Sequence, residues 1–207
     1  MKLYIDANFI LQDALMQEQL PAIAETKVLI RSHALELRCP VVAFVEAVTC
    51  VSHRHAWRDD YRRLVEQHPS IRDLVRSRSH LQTRQKQKEV VDYLMEIRSK
   101  EEQHLKVVLD GLLEEGELLP VTSATFSTAM SLQREHEFRL ADALIVASVL
   151  IDIEGQRDAQ RPFLKSLFIS GDKRLHPVKK DLESINCALI QNFQHAVEFI
   201  KHSVTSK

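Results

Sequence analysis

The sequence predicts an α/β fold in which a short, mostly parallel sheet is covered by helices on both faces. Short apolar runs alternate along the chain with segments whose apolar residues recur every three or four positions. Strands that are apolar throughout and separated by helices are typical of a buried parallel sheet. Only 4 glycines and 6 prolines occur among 207 residues, which argues against an all-β fold and against disorder. We expect one domain over 1–207.

The first part of the chain contains two of the expected strands. The run at 2–5 predicts a short buried strand that ends at Asp6. Helical spacing follows over 20–37, and the Cys-Pro pair at 39–40 ends this predicted helix. The β-branched, apolar run at 41–44 then predicts the second strand.

The last part of the chain contains the other strands and two well-marked helices. The strongly apolar segment 141–153 predicts a buried helix, and a polar excursion is expected over 154–165. An amphipathic helix is expected at the C-terminal end, over 192–202. Three short apolar runs are typical of strands: 118–121, 167–169 and 187–190.

A long polar stretch of helical character, 52–117, separates the second and third predicted strands. Residues 53–88 contain ten Lys and Arg against four Asp and Glu, a local charge of +6, although the whole chain carries −1. The balanced total excludes a uniformly basic nucleic-acid binder. The local excess of cations indicates instead that this stretch could guide a phosphate backbone past a site elsewhere in the domain.

Three arginines are the candidates for phosphate contacts in this basic stretch. Arg54, Arg58 and Arg62 are spaced four residues apart and therefore share one helix face. The alternative is a solvated face, or one paired with neighbouring acids. Trp57 and Tyr61 have the same spacing and could stack on a base, although packing in the core is the favoured interpretation.

The cysteines and the apolar stretches indicate the compartment. Three cysteines, an odd number with no CxxC pair, predict reduced thiols in a cytoplasmic protein. The N-terminal apolar run is interrupted at Asp6, which does not fit a signal peptide. The longest apolar stretch, 143–151, is far shorter than the ~20 residues of a membrane span, so no membrane attachment is expected.

Four acidic residues lie where ligands of a parallel sheet usually bind. Asp6, Glu46 and Asp172 follow predicted strands, and Asp142 opens the apolar helix. Because such ligands bind beyond the carboxyl ends of the strands, we expect the four acids on one rim. Any one of them could instead cap a helix or stabilise a turn. Together they would repel one another without a cation, and Mg²⁺ or Mn²⁺ suits oxygen ligands.

These residues resemble the motifs of the PIN-domain nuclease family. The matching segments are YIDAN at 4–8, VEA at 45–47, LADALIVA at 140–147 and ISGD at 169–172. The resemblance covers 1–50 and 118–202 and implies a three-layer α/β/α sandwich, with 52–117 as an enlarged helical insertion. Many relatives place Thr or Ser directly before the last acid, whereas Gly171 intervenes here.

The resemblance also implies a function. Family members are mostly metal-dependent ribonucleases, so the expected activity is endonucleolytic hydrolysis of RNA, or of DNA, with Mg²⁺ or Mn²⁺ as cofactor. Many small members are toxins, which leaves an antitoxin partner, a defence role and a homo-oligomer open. The residues carried over are the metal-binding and catalytic acids Asp6, Glu46, Asp142 and Asp172, with Asn8 and Ser170 in support.

Two other functions remain open from the sequence. A non-catalytic PIN-like module could bind nucleic acid or a protein, although such a scaffold has no need of mutually repelling carboxylates. A phosphatase could use Asp6 as a nucleophile, but that chemistry usually follows an Asp-x-Asp arrangement and position 8 is Asn. A titration of Mg²⁺ or Mn²⁺ with labelled RNA and DNA separates these alternatives.

Overall fold

A five-stranded parallel sheet with the strand order β3-β2-β1-β4-β5 forms the centre of the fold. The computed structural model describes residues 1–16, 20–33, 35–67, 81–158 and 165–205. The expected α/β class is confirmed, and every strand pairing is parallel. The strands are β1 (Lys2–Ile5), β2 (Glu36–Pro40), β3 (Gly116–Leu119), β4 (Ser166–Ile169) and β5 (Cys187–Ile190).

Helices fill the connections between the strands and cover the sheet, in an arrangement consistent with a three-layer α/β/α sandwich. The first helix packs against the third and fourth, the second against the last, and the fifth against the sixth. Within the described ranges, no helix is long and apolar enough to cross a bilayer. The helices are α1 (Ala7–Ala14), α2 (Leu20–His33), α3 (Val41–Gln67), α4 (Leu81–Glu115), α5 (Ser123–His136), α6 (Leu140–Asp158), α7 (Lys179–Ser184) and α8 (Phe193–Thr205), with a 3₁₀ helix at Lys173–Val178.

The two central strands are held most firmly. All four residues of β1 and all four residues of β4 are buried, and the two strands pair along their whole length. The polar groups that this burial includes have partners, because Lys2 Nζ and Tyr4 Oη both donate to Asp152 Oδ2, at 2.9 and 2.6 Å. The backbone of the residues that directly follow β1 and β4 is therefore held in a fixed position at the edge of the sheet.

The predicted second strand at 41–44 is wrong, because those residues form the first turn of α3. The strand lies just before them, in residues that the spacing had assigned to a helix. Leu37 and Cys39 are buried and alternate with more exposed Glu36 and Arg38, which is the period of two of a strand. Pro40 also restricts the preceding residue to extended backbone, so a helix through Cys39 was disfavoured.

The other expected elements differ by a few residues or not at all. The predictions at 2–5, 167–169 and 187–190 are confirmed as strands. The strand predicted at 118–121 lies two residues earlier, and the first residues of the excursion expected over 154–165 continue α6 to Asp158. Residues 159–164 lie outside the described part of the chain. All three cysteines are free thiols, as expected.

The stretch 52–117 is continuous with the rest of the domain at both ends. The helix α3 begins at Val41 and runs into it without a break, and α4 passes directly into β3 at Gly116. At this junction a Cβ on residue 116 would lie 2.9 Å from the carbonyl oxygen of Leu112 and 3.2 Å from the Leu37 side chain. Glycine is therefore required where the chain changes from helix to strand without a loop.

We expect Gly116→Ala to lower the free energy of unfolding by about 1–3 kcal/mol, the usual cost of overpacking. The nearest contact is a backbone atom, which cannot rotate away as a side chain would. Urea unfolding followed by circular dichroism measures the change.

The control is Gly111→Ala, on the same helix, where a new Cβ meets nothing within 4 Å. We expect the free energy of unfolding of this variant to rise by up to about 1 kcal/mol, because alanine is a better helix former than glycine. Equal changes in the two variants would contradict the argument from the close approach at position 116.

Candidate functional site

The order of the strands creates a crevice at the carboxyl edge of the sheet between β1 and β4. The chain continues from β1 to β2 on one side of the sheet, whereas β4 pairs with β1 on its other side. The strand order therefore reverses between β1 and β4. Ligands of open α/β sheets bind at such a reversal. A cleft of about 250 Å³ lies there, and its lining includes all four predicted acids, Asp6, Glu46, Asp142 and Asp172, together with Asn8, Gly171 and Arg174.

Asp6 is the most deeply buried acid of the cleft. It directly follows β1, and only 3% of its surface is exposed. Its Oδ1 accepts a hydrogen bond from Phe9 N at 3.2 Å, which caps α1, and its Oδ2 accepts from Asn8 Nδ2, also at 3.2 Å. The Ser170 hydroxyl donates to the same Oδ2. Burial raises the pKa of Asp6 to about 6, although these hydrogen bonds oppose the shift.

Ser170 connects the ends of the two central strands. It is fully buried directly after β4, where its hydroxyl donates to Asp6 and accepts a hydrogen bond from Asp172 N at 3.0 Å. Because the hydroxyl has one proton, this pair of contacts fixes its direction. Ser170 therefore orients the carboxyl group of Asp6 at the end of β1 and the backbone of Asp172 after β4.

Glu46 and Asp142 come from two helices that pack against each other. Glu46 lies in the second turn of α3, not in the first turn as predicted, and Asp142 lies in the first turn of α6. Burial raises the pKa of both carboxyl groups. The charge of Asp142 adds to the shift of Glu46, and the charge of Asp172 adds to the shifts of both. The two acids are thus close enough to the others for electrostatic coupling.

Asp172 differs from the other three acids because an arginine pairs with it. Burial opposes ionisation here as well, but the hydrogen bonds and charge of Arg174 outweigh it and lower the pKa of Asp172. The guanidinium Nη2 lies 2.5 Å from Asp172 Oδ2, and Nη1 lies 3.4 Å from Asp142 Oδ2. A cationic side chain therefore bridges two of the predicted metal ligands.

The donor set of the cleft suits Mg²⁺ or Mn²⁺, because its lining offers carboxylate oxygens and the amide oxygen of Asn8 and no sulfur or imidazole. Burial is the main cause of the raised pKa values of Asp6, Glu46 and Asp142, and neighbouring acids add to it for the last two; a divalent cation would stabilise all three carboxylates in their ionised form. In the arrangement described, however, no three His, Cys, Asp or Glu residues among the described positions converge on a single ion position. Arg174 lies where two of the four acids face each other.

The three arginines predicted to contact phosphate are not equivalent. Arg58 is buried and holds Glu101 of α4 in two hydrogen bonds, of 2.6 and 2.9 Å. Arg54 lies 3.4 Å from the same carboxylate, with 46% of its side chain exposed. Arg62 is 42% exposed and lies 3.8 Å from Asp59, which also pairs with Arg98. The expected free face is thus partly an internal contact between α3 and α4.

Two carboxylates are shared among four arginines at the contact between these helices, so positive charge is in excess within this group of six side chains. Glu101 pairs with Arg54 and Arg58, while Asp59 pairs with Arg62 and Arg98. Each acid neutralises one unit of charge and holds two guanidinium groups. These six side chains therefore carry a net charge of about +2, although α3 and α4 together contain ten Lys and Arg against twelve Asp and Glu. Three of the ten cations of the predicted basic stretch belong to 68–80, which lies outside the described residues.

Trp57 is an exposed side chain and not a core residue, so the favoured sequence interpretation is wrong. It is 62% exposed, and its ring stacks on Tyr61 with centroids 6.0 Å apart and planes at 22°. At 100° per residue, Trp57 lies on nearly the same face of α3 as Glu46, eleven residues or about 17 Å further along the axis. An aromatic pair and an acid of the cleft therefore lie on one helix face.

Arg174 and Arg139 are the residues of the site that the sequence argument did not assign to it. Arg139 precedes Asp142 by three residues, and its charge opposes the upward shifts in the pKa values of Glu46 and Asp142. Arg174 follows Asp172 by two residues. Their positions in the sequence are a usable signal, because a cationic side chain within three residues of a predicted ligand can form an ion pair with it.

Comparison with known proteins adds no relative to these observations. No model of a protein family matches the chain, and neither a curated protein nor a solved structure does. The likeness of the short motifs at the strand ends to the PIN family is thus not accompanied by a match over a longer part of the chain.

The burial of Asp6 predicts how Asp6→Asn changes the stability. Well below pH 3.8 the carboxyl group is protonated in both states, so it adds no difference. Between its unfolded pKa of 3.8 and its folded pKa of about 6, ionisation favours the unfolded chain, and stability falls as the pH rises. We therefore expect Asp6→Asn to be more stable than the wild type at pH 7, by up to about 3 kcal/mol, and equal to it near pH 3.5.

Thermal and urea unfolding between pH 3.5 and 8 in the absence of divalent cations measure this difference. Asp110→Asn, at an exposed position on α4, controls for the loss of one negative charge. A variant of Asp6 that is less stable than the wild type at pH 7 would mean that its three hydrogen bonds outweigh the cost of its burial.

Proposed function

We propose that the protein is a divalent-metal-dependent nuclease with a PIN-like fold that hydrolyses phosphodiester bonds, with RNA as the expected substrate and DNA as the other. The observation that carries the proposal is the meeting of four acids from four separate segments in one cleft at the reversal of strand order. Structural roles as caps would explain Asp6 and Asp172 singly, but they do not explain why Glu46 and Asp142 face the same space.

Each side chain of the cleft has a role in this function. Asp6, oriented by Ser170 and Asn8, together with Glu46, Asp142 and Asp172, would hold one or two ions. When bound, Mg²⁺ or Mn²⁺ supplies an activated water and neutralises charge on the phosphate. The burial that raises the pKa of Asp6 makes its carboxylate a poorly solvated group, for which a cation is the strongest available compensation.

The exposed cations and the aromatic pair of α3 support a nucleic-acid substrate over a small phosphate ester. Arg54 and Arg62 would contact phosphates, while Arg58 fixes the position of α4 through Glu101. Trp57 offers its ring to an unpaired base, and stacking of this kind tolerates any base. Trp57 lies on the helix face of Glu46, whereas Arg54 and Arg62 lie nearer to α4, so bases and phosphates would contact different faces of α3.

The ion pairs of Arg174 are the observation that favours the alternative, a non-catalytic PIN-like binding module. A cleft in which an arginine stays paired with two of the acids needs no metal.

The nuclease proposal includes a place in the cytoplasm as the toxin of a toxin–antitoxin or defence system, with an antitoxin partner. Growth arrest on expression would support this role.

We expect 5′-labelled single-stranded RNA to be cut in Mg²⁺ or Mn²⁺ and to remain intact in EDTA. Because the acids are proposed to hold the ion, Asp6→Asn and Asp142→Asn should lower the cleavage rate at least about a hundredfold, the scale seen when groups that position a catalytic metal are lost. Asp110→Asn should cleave like the wild type. Labelled DNA of the same sequence, assayed in parallel, decides between the two substrates.

Metal binding should also be visible without turnover. A cation that binds only the folded state stabilises it by about 2.7 kcal/mol at a hundredfold excess over its Kd, so Mn²⁺ should raise the Tm. The increase should shrink in Asp142→Asn and persist in Asp110→Asn. If the Tm of the wild type does not respond to Mn²⁺ and no cleavage occurs, the binding-module alternative is the better description.

The arginines of α3 should separate into two classes. In Ca²⁺, the double variant Arg54→Gln, Arg62→Gln should bind single-stranded RNA more weakly than the wild type. The slope of the logarithm of the binding constant against the logarithm of the salt concentration should be smaller in magnitude by about 1.4, because each phosphate contact contributes about 0.7. Arg58→Gln should instead lower the free energy of unfolding by about 3 kcal/mol, since it leaves Glu101 buried without its main partner.

Fluorescence anisotropy at several salt concentrations and urea unfolding provide the two readouts. Lys100→Gln, an exposed cation of α4 that pairs with Glu96, is the control for the loss of positive charge. An unchanged slope in the double variant would remove the outer part of α3 from the substrate path.

A further inference from the structure

Arg174 holds a position in the cleft that a metal-dependent reaction would need for its cation. Its Nε lies 3.0 and 2.9 Å from the two carboxylate oxygens of Asp172, its Nη2 lies 2.5 Å from one of them, and its Nη1 reaches Asp142. Asp172 follows β4, and Asp142 lies in α6, so the two acids come from separate segments of the chain. One guanidinium group therefore pairs with both acids, although its single charge neutralises only one of them.

The arginine is placed so that it can leave. The side chains of Asp142 and Asp172 are only 8% and 14% exposed, whereas that of Arg174 is 49% exposed. The acids are fixed by their elements, but the guanidinium lies at the mouth of the cleft on a two-turn 3₁₀ helix. About half of the Arg174 side chain is already in contact with water, and a divalent cation that takes its place keeps the two acids compensated.

We propose that Arg174 is the resident counter-ion of Asp142 and Asp172 in the metal-free protein, that a divalent cation displaces it, and that the released guanidinium then binds a phosphate of the nucleic-acid substrate. The inference depends on the proposed function, since it assigns a role at the same site. It explains why no three acids converge on one ion position while Arg174 lies between two of them.

The second half of the proposal follows from the chemistry of the side chain. An arginine offers two parallel N–H donors that match two oxygens of a carboxylate or of a phosphate equally well. When the cation takes the carboxylates, these donors lose their partners and remain beside the cleft. Metal binding and substrate binding are thereby coupled through one residue, and the metal-free site does not present a free guanidinium to phosphates.

The test of displacement is a titration with Mn²⁺ in which the free ion is counted by electron paramagnetic resonance. We expect Arg174→Gln to bind Mn²⁺ about tenfold more tightly than the wild type, within the five- to 150-fold range usual for coupled sites. Lys173→Gln removes the same charge from the neighbouring exposed residue and controls for the general electrostatic effect. Arg174→Lys keeps the charge without the paired donors, so its Mn²⁺ affinity should lie between those of Arg174→Gln and Lys173→Gln.

The outcomes separate the inference from the proposed function. Equal Mn²⁺ affinities in the wild type and Arg174→Gln, or equal gains in Arg174→Gln and Lys173→Gln, would overturn the displacement and leave the metal site in place. Absence of binding in every variant would overturn the proposed function and the inference with it. Binding by Arg174→Gln alone would support both. Thermal unfolding without metal confirms that each variant is folded.

The phosphate contact has its own readout. Anisotropy with a labelled single-stranded oligonucleotide, with and without Ca²⁺, gives the factor by which the cation strengthens binding. This factor should be several-fold smaller in Arg174→Gln than in Lys173→Gln, because only the former lacks the group that the cation releases. The same factor in both variants would overturn the phosphate contact.

Discussion

The burial of four acids, Asp6, Glu46, Asp142 and Asp172, in one cleft is the constraint to which the rest of the site responds. Burial raises the pKa of the first three carboxyl groups, and the charges of neighbouring acids add to the shift for Glu46 and Asp142. The opposing interactions are local: a serine and an asparagine donate to the deepest acid, and Arg174 bridges two others. The fold tolerates this cluster because β1 and β4 are buried at every position and hold their ends in place.

The elements that could be predicted from the sequence are those whose pattern and environment agree. The runs at 2–5 and 187–190 are apolar, short and bounded by polar residues, and tertiary packing uses them as strands. At 35–44 local preference and tertiary structure conflict. The β-branched residues after Pro40 begin a helix, whereas the alternating residues before it pair with β1 and β3. Pairing with the neighbouring strands determines the conformation of this segment, and the spacing of its apolar residues does not indicate that pairing.

The same distinction applies to the cleft. Acids that directly follow a strand, such as Asp6, could be located from the order of elements, because the carboxyl edge of a parallel sheet is a property of topology. The role of Arg58 could not, since it depends on Glu101, which is far away in the chain. For Arg174 the sequence offers the neighbouring Asp172 as a partner, but it does not indicate the second contact, with Asp142. Helical spacing predicts which residues share a face, but not whether that face meets water or another helix.

The unbroken course of α3 has a mechanical consequence. Its buried residues Ala43, Ala47 and Val51 anchor the first turns to the domain, while Trp57 projects from the outer half into solvent. No loop or glycine interrupts the 27 residues, so the helix behaves as a rigid lever about 40 Å long. Buried Arg58 joins the outer half to Glu101 of α4, so a force applied at Trp57 is shared by two helices before it reaches the turn that carries Glu46.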